Sequence, residues 1–377
     1  MNAFIWLYVL AMLWLLAFLL LRNNRKLMER GIYIGPFYAI FKTTKLNDTI
    51  VDMSKRWPLL WRVLLDIGIA MGFGQLLFSI YWLGQNLIAF FIHPTRASPV
   101  YPIIPGITID LRYFAKYIIP ALIIVAFTHE IAHGIASVMG KIPIKSVGVM
   151  IAFCLIGAFV EPDEEVLRKS NVKAKLRVFA AGSLVNLFTA LIFLFLLSSF
   201  FHSTSSGVLI VSTVPGYPAY NVIPNYSVII GLNDTHISSV ADLVNFMRKA
   251  RPGETVNVTY IDPDGFLRSS LLRLKADIRN KSKALLGVNI VNFVKPRLKM
   301  NIKYSFEVWN FLLTGHVISL SVAVFNMLPI YPFDGARFLF TILDNVIGKK
   351  DFLKYLKAGI MSISMALLIL NIIFTLR

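Results

Sequence analysis

The chain has 377 residues, 56% of them hydrophobic and only 15% charged. Soluble domains carry about 25% charged residues, so this composition excludes a wholly soluble protein. The formal charge of +18 is read as Lys and Arg flanking membrane spans, with no nucleic-acid partner; the single cysteine, Cys154, excludes a disulfide framework and any Cys-rich zinc ribbon.

Six uncharged stretches approach the roughly 20 apolar residues needed to cross a hydrocarbon core. They are Ala3–Leu21, Ile67–Ile92, a run from Tyr117 onward, Val178–Phe201, Val308–Phe333 and Ala358–Leu376. The first has no basic n-region and no small-residue cleavage site, so it is read as a retained span and not a signal peptide. Lys and Arg crowd the segment Arg22–Arg56 and again Lys141–Arg177, whereas His93–Lys116 holds only Arg96, Arg112 and Lys116. The positive-inside rule then places the first and last of these segments in the cytosol and both termini outside. Residues 1–115 are expected to hold two N-terminal helices and a cytosolic loop in a multi-pass protein of the cell membrane.

The third stretch has only Tyr117–Thr128 before the sequence "AFTHEIAHGIAS" (Ala126–Ser137), and it spans a bilayer only if that sequence is included. Ionisable groups at such depth point to function. His129 and His133 are four apart, so a helix sets both imidazoles on one face, able to grip one metal ion. Glu130 falls beside them, placed to take a proton from a water bound to zinc, whose pKa the metal lowers toward about 7. Next, Lys145–Glu165 is apolar and β-rich with Gly148 and Gly157. It is short for a helix that must return to the same side, and a re-entrant β-hairpin shielded by protein is expected. With the following span it completes a catalytic segment at 116–202.

Residues 203–301 are polar and are placed outside. Strands are expected at Gly207–Val214, Thr255–Asp262 and Phe266–Leu274, and a helix at Ser239–Ala250 with Val240, Leu243, Val244 and Met247 on one face. Residues 302–377 return to the membrane. There "NMLPIYPFDG" (Asn326–Gly335) combines two helix-breaking prolines with an acid that can turn inward. Catalytic zinc needs a third protein ligand and one open position. The acids at cytosolic membrane depth are Asp66, Glu161 and Asp334, of which Asp334 has the most suggestive setting; Cys154 lies in the apolar hairpin.

Together "HEIAH" and "NMLPIYPFDG" resemble the paired signatures of the site-2 protease family of intramembrane zinc metalloproteases. The resemblance implies one Zn2+ on His129, His133 and Asp334, with Glu130 as general base. Asn326 then matches an Asn given a substrate or oxyanion contact. "AAGSLVN" (Ala180–Asn186) resembles the family's Gly-x-x-x-Asn segment, adding Asn186 to the catalytic set, with Ser183 where Pro is common. The 203–301 insertion resembles a PDZ domain through its "PGYPA" and "RPGETV" turns, implying an αβ module that binds a peptide C-terminus. The expected whole is a polytopic α-helical membrane protein of about six transmembrane helices, a re-entrant β-hairpin and one extracytoplasmic PDZ-like domain. Its implied activity is zinc-dependent endoproteolysis of transmembrane segments, with the active site toward the cytosol. A membrane zinc enzyme with a glutamate third ligand and a non-enzymatic membrane scaffold are the rival readings.

Overall fold

The computed structural model describes residues 3–152, 155–278, 280–348 and 351–377; Cys154 lies outside the described residues. Its main helices are α1 (Ala3–Leu21), α2 (Pro58–Ile92), α3 (Ile119–Met139), α4 (Val172–Phe200), α5 (Val240–Lys249), α6 (Ile302–Phe325), α7 (Asp334–Ile347) and α8 (Asp351–Leu376). The chain divides into two compact units, Met1–Ile192 with Thr314–Arg377, and Phe193–Leu313.

Among the described residues, five helical segments are long and apolar enough to cross a membrane: Pro58–Ile92, Leu111–Met139, Val172–Phe200, Ile302–Phe325 and Asp351–Leu376. The sequence led us to expect six. The first stretch does form α1; its fully described part, Ala11–Leu21, is apolar but shorter than a span, so a sixth span is not shown. Several boundaries also move, and two of the shifts have a plain local cause. Helix α2 begins at Pro58, which occupies the first turn, where a missing N–H costs nothing. Helix α6 ends at Phe325, eight residues before the expected Phe333, because Pro329 and Pro332 prevent its continuation.

Small side chains bring these helices close. Leu65, Leu76, Ala132, Ala136, Phe179, Ala180, Met327 and Phe338 share one buried cluster. A Cβ built at Gly72 would sit 3.2 Å from Ala180 Cβ and 3.3 Å from the Met327 methyl, so a larger residue would push α2 away. Between α2 and α8, Asn86 Nδ2 donates to Asn371 Oδ1 at 2.8 Å, and Asn371 Nδ2 donates to the Leu83 carbonyl at 3.0 Å. Such paired amides satisfy groups that lipid cannot.

The expected hairpin is present as β3 (Ile144–Ala152) and β4 (Leu155–Pro162), but it is not alone. Strands β1 (Ile32–Ile34) and β2 (Tyr38–Thr43) from the N-terminal loop join it in an antiparallel sheet of order β1-β2-β3-β4. Tyr38–Thr43 pairs residue by residue with Ala152–Val147. Lys42 Nζ donates to Glu161 Oε2 at 2.8 Å across the sheet. The loop expected to be only a cytosolic connection is therefore half of this sheet.

The Phe193–Leu313 unit carries a sheet of β5 (Phe201–Thr213), β6 (Val228–Leu232), β7 (Thr255–Ile261), β8 (Leu267–Arg273) and β9 (Val288–Pro296). Its order is β9-β5-β6-β7-β8, and Thr235–His236 also pairs with β6. Period-two alternation buries Val256, Val258 and Tyr260 on β7. They pack with Val208, Ile210, Ile229 and Leu243 in one core. Helix α5 opens on a capping box between Ser239 and Asp242, which satisfies its first amides.

Candidate metal centre

Helix α3 carries His129 and His133, and α7 begins at Asp334. His133 Nε2 is 3.0 Å from His129 Nε2 and 3.0 Å from Asp334 Oδ2, while His129 Nε2 is 3.3 Å from Asp334 Oδ2. Both histidines are buried. Among the described residues this is the group of His, Cys, Asp or Glu side chains able to share a metal ion. Donors about 2.0–2.1 Å from one tetrahedral zinc stand about 3.3 Å apart, so the three atoms fit the edges of such a site. Two imidazoles and one carboxylate are also a donor set that zinc accepts.

The orientation of each ring supports the same fit. His133 Nδ1 lies 2.7 Å from the Val178 carbonyl. A carbonyl can only accept, so Nδ1 carries the proton and Nε2 keeps its lone pair toward the site. His129 Nδ1 lies 2.8 Å from the Asn186 side-chain amide. The ends of an amide are interchangeable in such a contact; with its oxygen toward Nδ1–H, Asn186 frees His129 Nε2 in the same way. A Cβ built at Gly182 would sit 2.3–2.6 Å from atoms of the His129 ring, so the glycine is what admits that imidazole against α4.

Asp334 reaches the histidines because the chain folds back after α6. The Gly335 amide donates to the Asn326 carbonyl at 2.9 Å. A Cβ at Gly335 would collide with the carbonyls of Met327 and Leu328, so the tight return requires glycine. Asn326 Nδ2 donates to Asp334 Oδ2 at 2.7 Å and lies 3.2 Å from His129 Nε2. Asn326 and Asn186 thus both touch the candidate ligands.

The other acids are engaged elsewhere. Asp66 is held by Arg177 at 2.7 Å and Lys173 at 3.1 Å. Glu161 accepts from Lys42 and, at 2.6 Å, from Ser146 Oγ. His316 Nδ1 meets the Ala190 carbonyl at 2.9 Å. Glu130 stands outside the three-atom group, and its Oε2 accepts the Val160 amide of β4 at 2.8 Å. Sequence reading missed Val160 and Val178, since both act through the backbone, which no residue type advertises.

A concavity of about 680 Å³ lies in the Phe193–Leu313 unit between α5 and the start of β9. Leu243, Val244 and Met247 line one side, and Leu285, Leu286 and Val288 the other.

Residues 117–371 match peptidase family M50, and the chain belongs to that family. It is 27% identical over 311 residues to an uncharacterized protein of Methanocaldococcus jannaschii, covering 80% of this chain and 76% of that one. It is 26% identical over 149 residues to a membrane-bound transcription factor site-2 protease homolog of Arabidopsis thaliana. That match covers 38% of this chain and 28% of the plant protein. Among solved structures, the PDZ domain of an SdrC-like protein from Listeria monocytogenes matches at TM-score 0.22 and 20% identity. It covers 24% of this chain and 93% of that domain. The corresponding PDZ domain from Listeria innocua matches at TM-score 0.21 and 15% identity, over 26% of this chain and 99% of that domain.

Proposed function

We propose that this protein is a zinc-dependent intramembrane endopeptidase that cuts membrane-spanning substrates near the cytosolic face. The observation that carries the reading is the convergence of His129, His133 and Asp334 from two separated segments onto one point. Their Nε2 and Oδ2 atoms lie 3.0–3.3 Å apart. Zinc held by these three side chains would supply a Lewis acid for a peptide carbonyl and lower the pKa of a water toward about 7. Glu130 is the group that would accept a proton from the attacking water and return it to the leaving amine as the peptide bond breaks. Asn326 holds Asp334 in place and stands where a polarised carbonyl oxygen would need a donor. Asn186 and the Val178 carbonyl keep the two imidazoles in the ligating orientation.

A helical substrate hides its amides, so it must unwind before cleavage. The free edge of β4 offers backbone groups to the unwound segment by strand addition. On this reading water reaches the site from the cytosol, and the Lys and Arg flanking the His/Glu motif support that orientation. Residues 203–301, on this reading outside the cell membrane, take an extended peptide end in their apolar concavity and select substrates.

Glu130→Gln tests the assignment of roles. The amide cannot take the proton, so cleavage of a transmembrane peptide should fall by about 10²–10⁴-fold while zinc content stays at the wild-type level. Loss of zinc together with activity would make Glu130 a ligand or a structural group.

A further inference from the structure

We infer that Glu130 closes one end of the free edge of β4 and so fixes the register in which a substrate strand adds to it; this rests on the endopeptidase reading above. The sheet restricts where a strand can add. Strand β2 pairs along β3 from Val147 to Ala152, and β4 takes its other side. Strand β3 is therefore paired on both edges from Val147 to Ala152, and the strand next to the motif helix that has an open edge is β4.

Within β4, alternate residues turn their backbone groups to opposite sides. Val160 stands opposite Val147 in the β3–β4 register, and its N–H turns away from β3 to Glu130 Oε2 at 2.8 Å. By the same alternation Ala158 and Ile156 present N–H and C=O outward, while Phe159 and Gly157 face β3. Among the described residues, no backbone hydrogen bond outside the β3–β4 ladder involves Ala158. With Ile156 next in the same alternation, this is the run of edge that ends at Val160.

An incoming substrate carbonyl must compete with Glu130 for the Val160 amide. It is a neutral acceptor, and hydrogen bonds to an ionised acceptor are roughly twice as strong. The carboxylate keeps the amide. Pairing therefore uses Ile156 and Ala158 and stops there, so the first unpaired peptide of the substrate comes to lie beside Glu130. Because Glu130 adjoins His129 in the chain, the end of the ladder and the base coincide. The cleavage position is then counted along the backbone from the residue opposite Ala158. Side chains tune it only secondarily, and the substrate class is an extended apolar segment with unhindered amides at two alternate positions.

The test uses full-length, zinc-loaded wild-type protein and a transmembrane peptide whose mapped scissile carbonyl is replaced by CH2, so that it binds uncut. Residue-resolved amide hydrogen exchange is followed along β4. The Val160 amide should be protected before the peptide is added and unchanged afterwards. The Ala158 and Ile156 amides should slow at least tenfold on binding. Displacement of Glu130, seen as a changed Val160 rate, or no change at Ala158 would overturn the inference. A kinetic arm uses Ala158→Pro, which removes an outward N–H without breaking a β3–β4 bond. It should raise KM at least tenfold, with kcat within twofold and zinc content unchanged; an unaltered KM also overturns the inference. If the proline variant does not fold, the exchange measurement decides. Wild-type protein that neither binds zinc nor cleaves would instead defeat the endopeptidase reading itself.

Discussion

The two compact units use polar residues in opposite ways. In the Phe193–Leu313 unit the interior is an apolar core of residues such as Val208, Ile210, Ile229 and Val258, and polar side chains cap helix and turn ends. In the helical unit, His129, His133, Asn186, Asn326 and Asp334 gather inside an apolar surround, each touching another of the set or its helix neighbours. Buried polar groups are costly unless paired, so the second arrangement persists only if the set is complete. Losses there should show in metal binding first, and losses in the other unit in local stability.

The largest expected effect follows from removing a ligand. His133→Ala should abolish bound zinc and cleavage together, while amide exchange in α5 stays at the wild-type rate. Metal analysis beside exchange mass spectrometry makes the comparison; α5 opening in this variant would break the separation of roles drawn above. A smaller loss is expected behind the ligands. Asn186→Leu removes the group that orients His129 and should weaken zinc binding by about 10–100-fold. Competition with a chelator measures it, and unchanged affinity would mean that α4 does not set the imidazole.

That His129, His133 and Asp334 come together was expected from the resemblance, and its local signals are side chains: two histidines four apart, and an Asp between helix breakers and glycine. The five apolar helices were legible from length and composition. The pairing of Tyr38–Thr43 with β3 was not, since its partner lies more than a hundred residues on and strand partners are not specified locally. A local signal did exist: Gly35-Pro36 sits between two β-rich runs, "IYI" and "YAIFKT", which is a hairpin pattern. In the other unit β6 and β9 went unforeseen, although the helix and the strands β5, β7 and β8 fell near their expected places. The hydrogen bonds from Val160 to Glu130 and from His133 to Val178 depend on tertiary placement alone.

The smallest effect belongs to the cap of α5. Ser239→Ala should cost about 1 kcal/mol of local stability, read as faster exchange across Val240–Lys249 without change in zinc content. The Ser238 hydroxyl, then the Ser239 hydroxyl and the Ser238 backbone amide, hold the Asp242 carboxyl below its usual range. A carboxyl depressed in the folded state stabilises it fully above the ordinary value of about 3.9. That contribution is lost as pH falls through the lower folded value. The exchange rate of α5 should therefore begin to rise at higher pH in Ser239→Ala than in wild type; identical pH profiles would remove Ser239 from the account.

The central claim is that three side chains from two distant segments hold one zinc ion. The most direct measurement is the metal content of purified full-length protein beside its Asp334→Ala variant, with cleavage of a transmembrane peptide followed on the same samples. The account predicts one zinc per chain in the wild type, and severe loss of both metal and turnover in the variant. An Asp334→Ala protein that keeps full zinc occupancy and full turnover would contradict it.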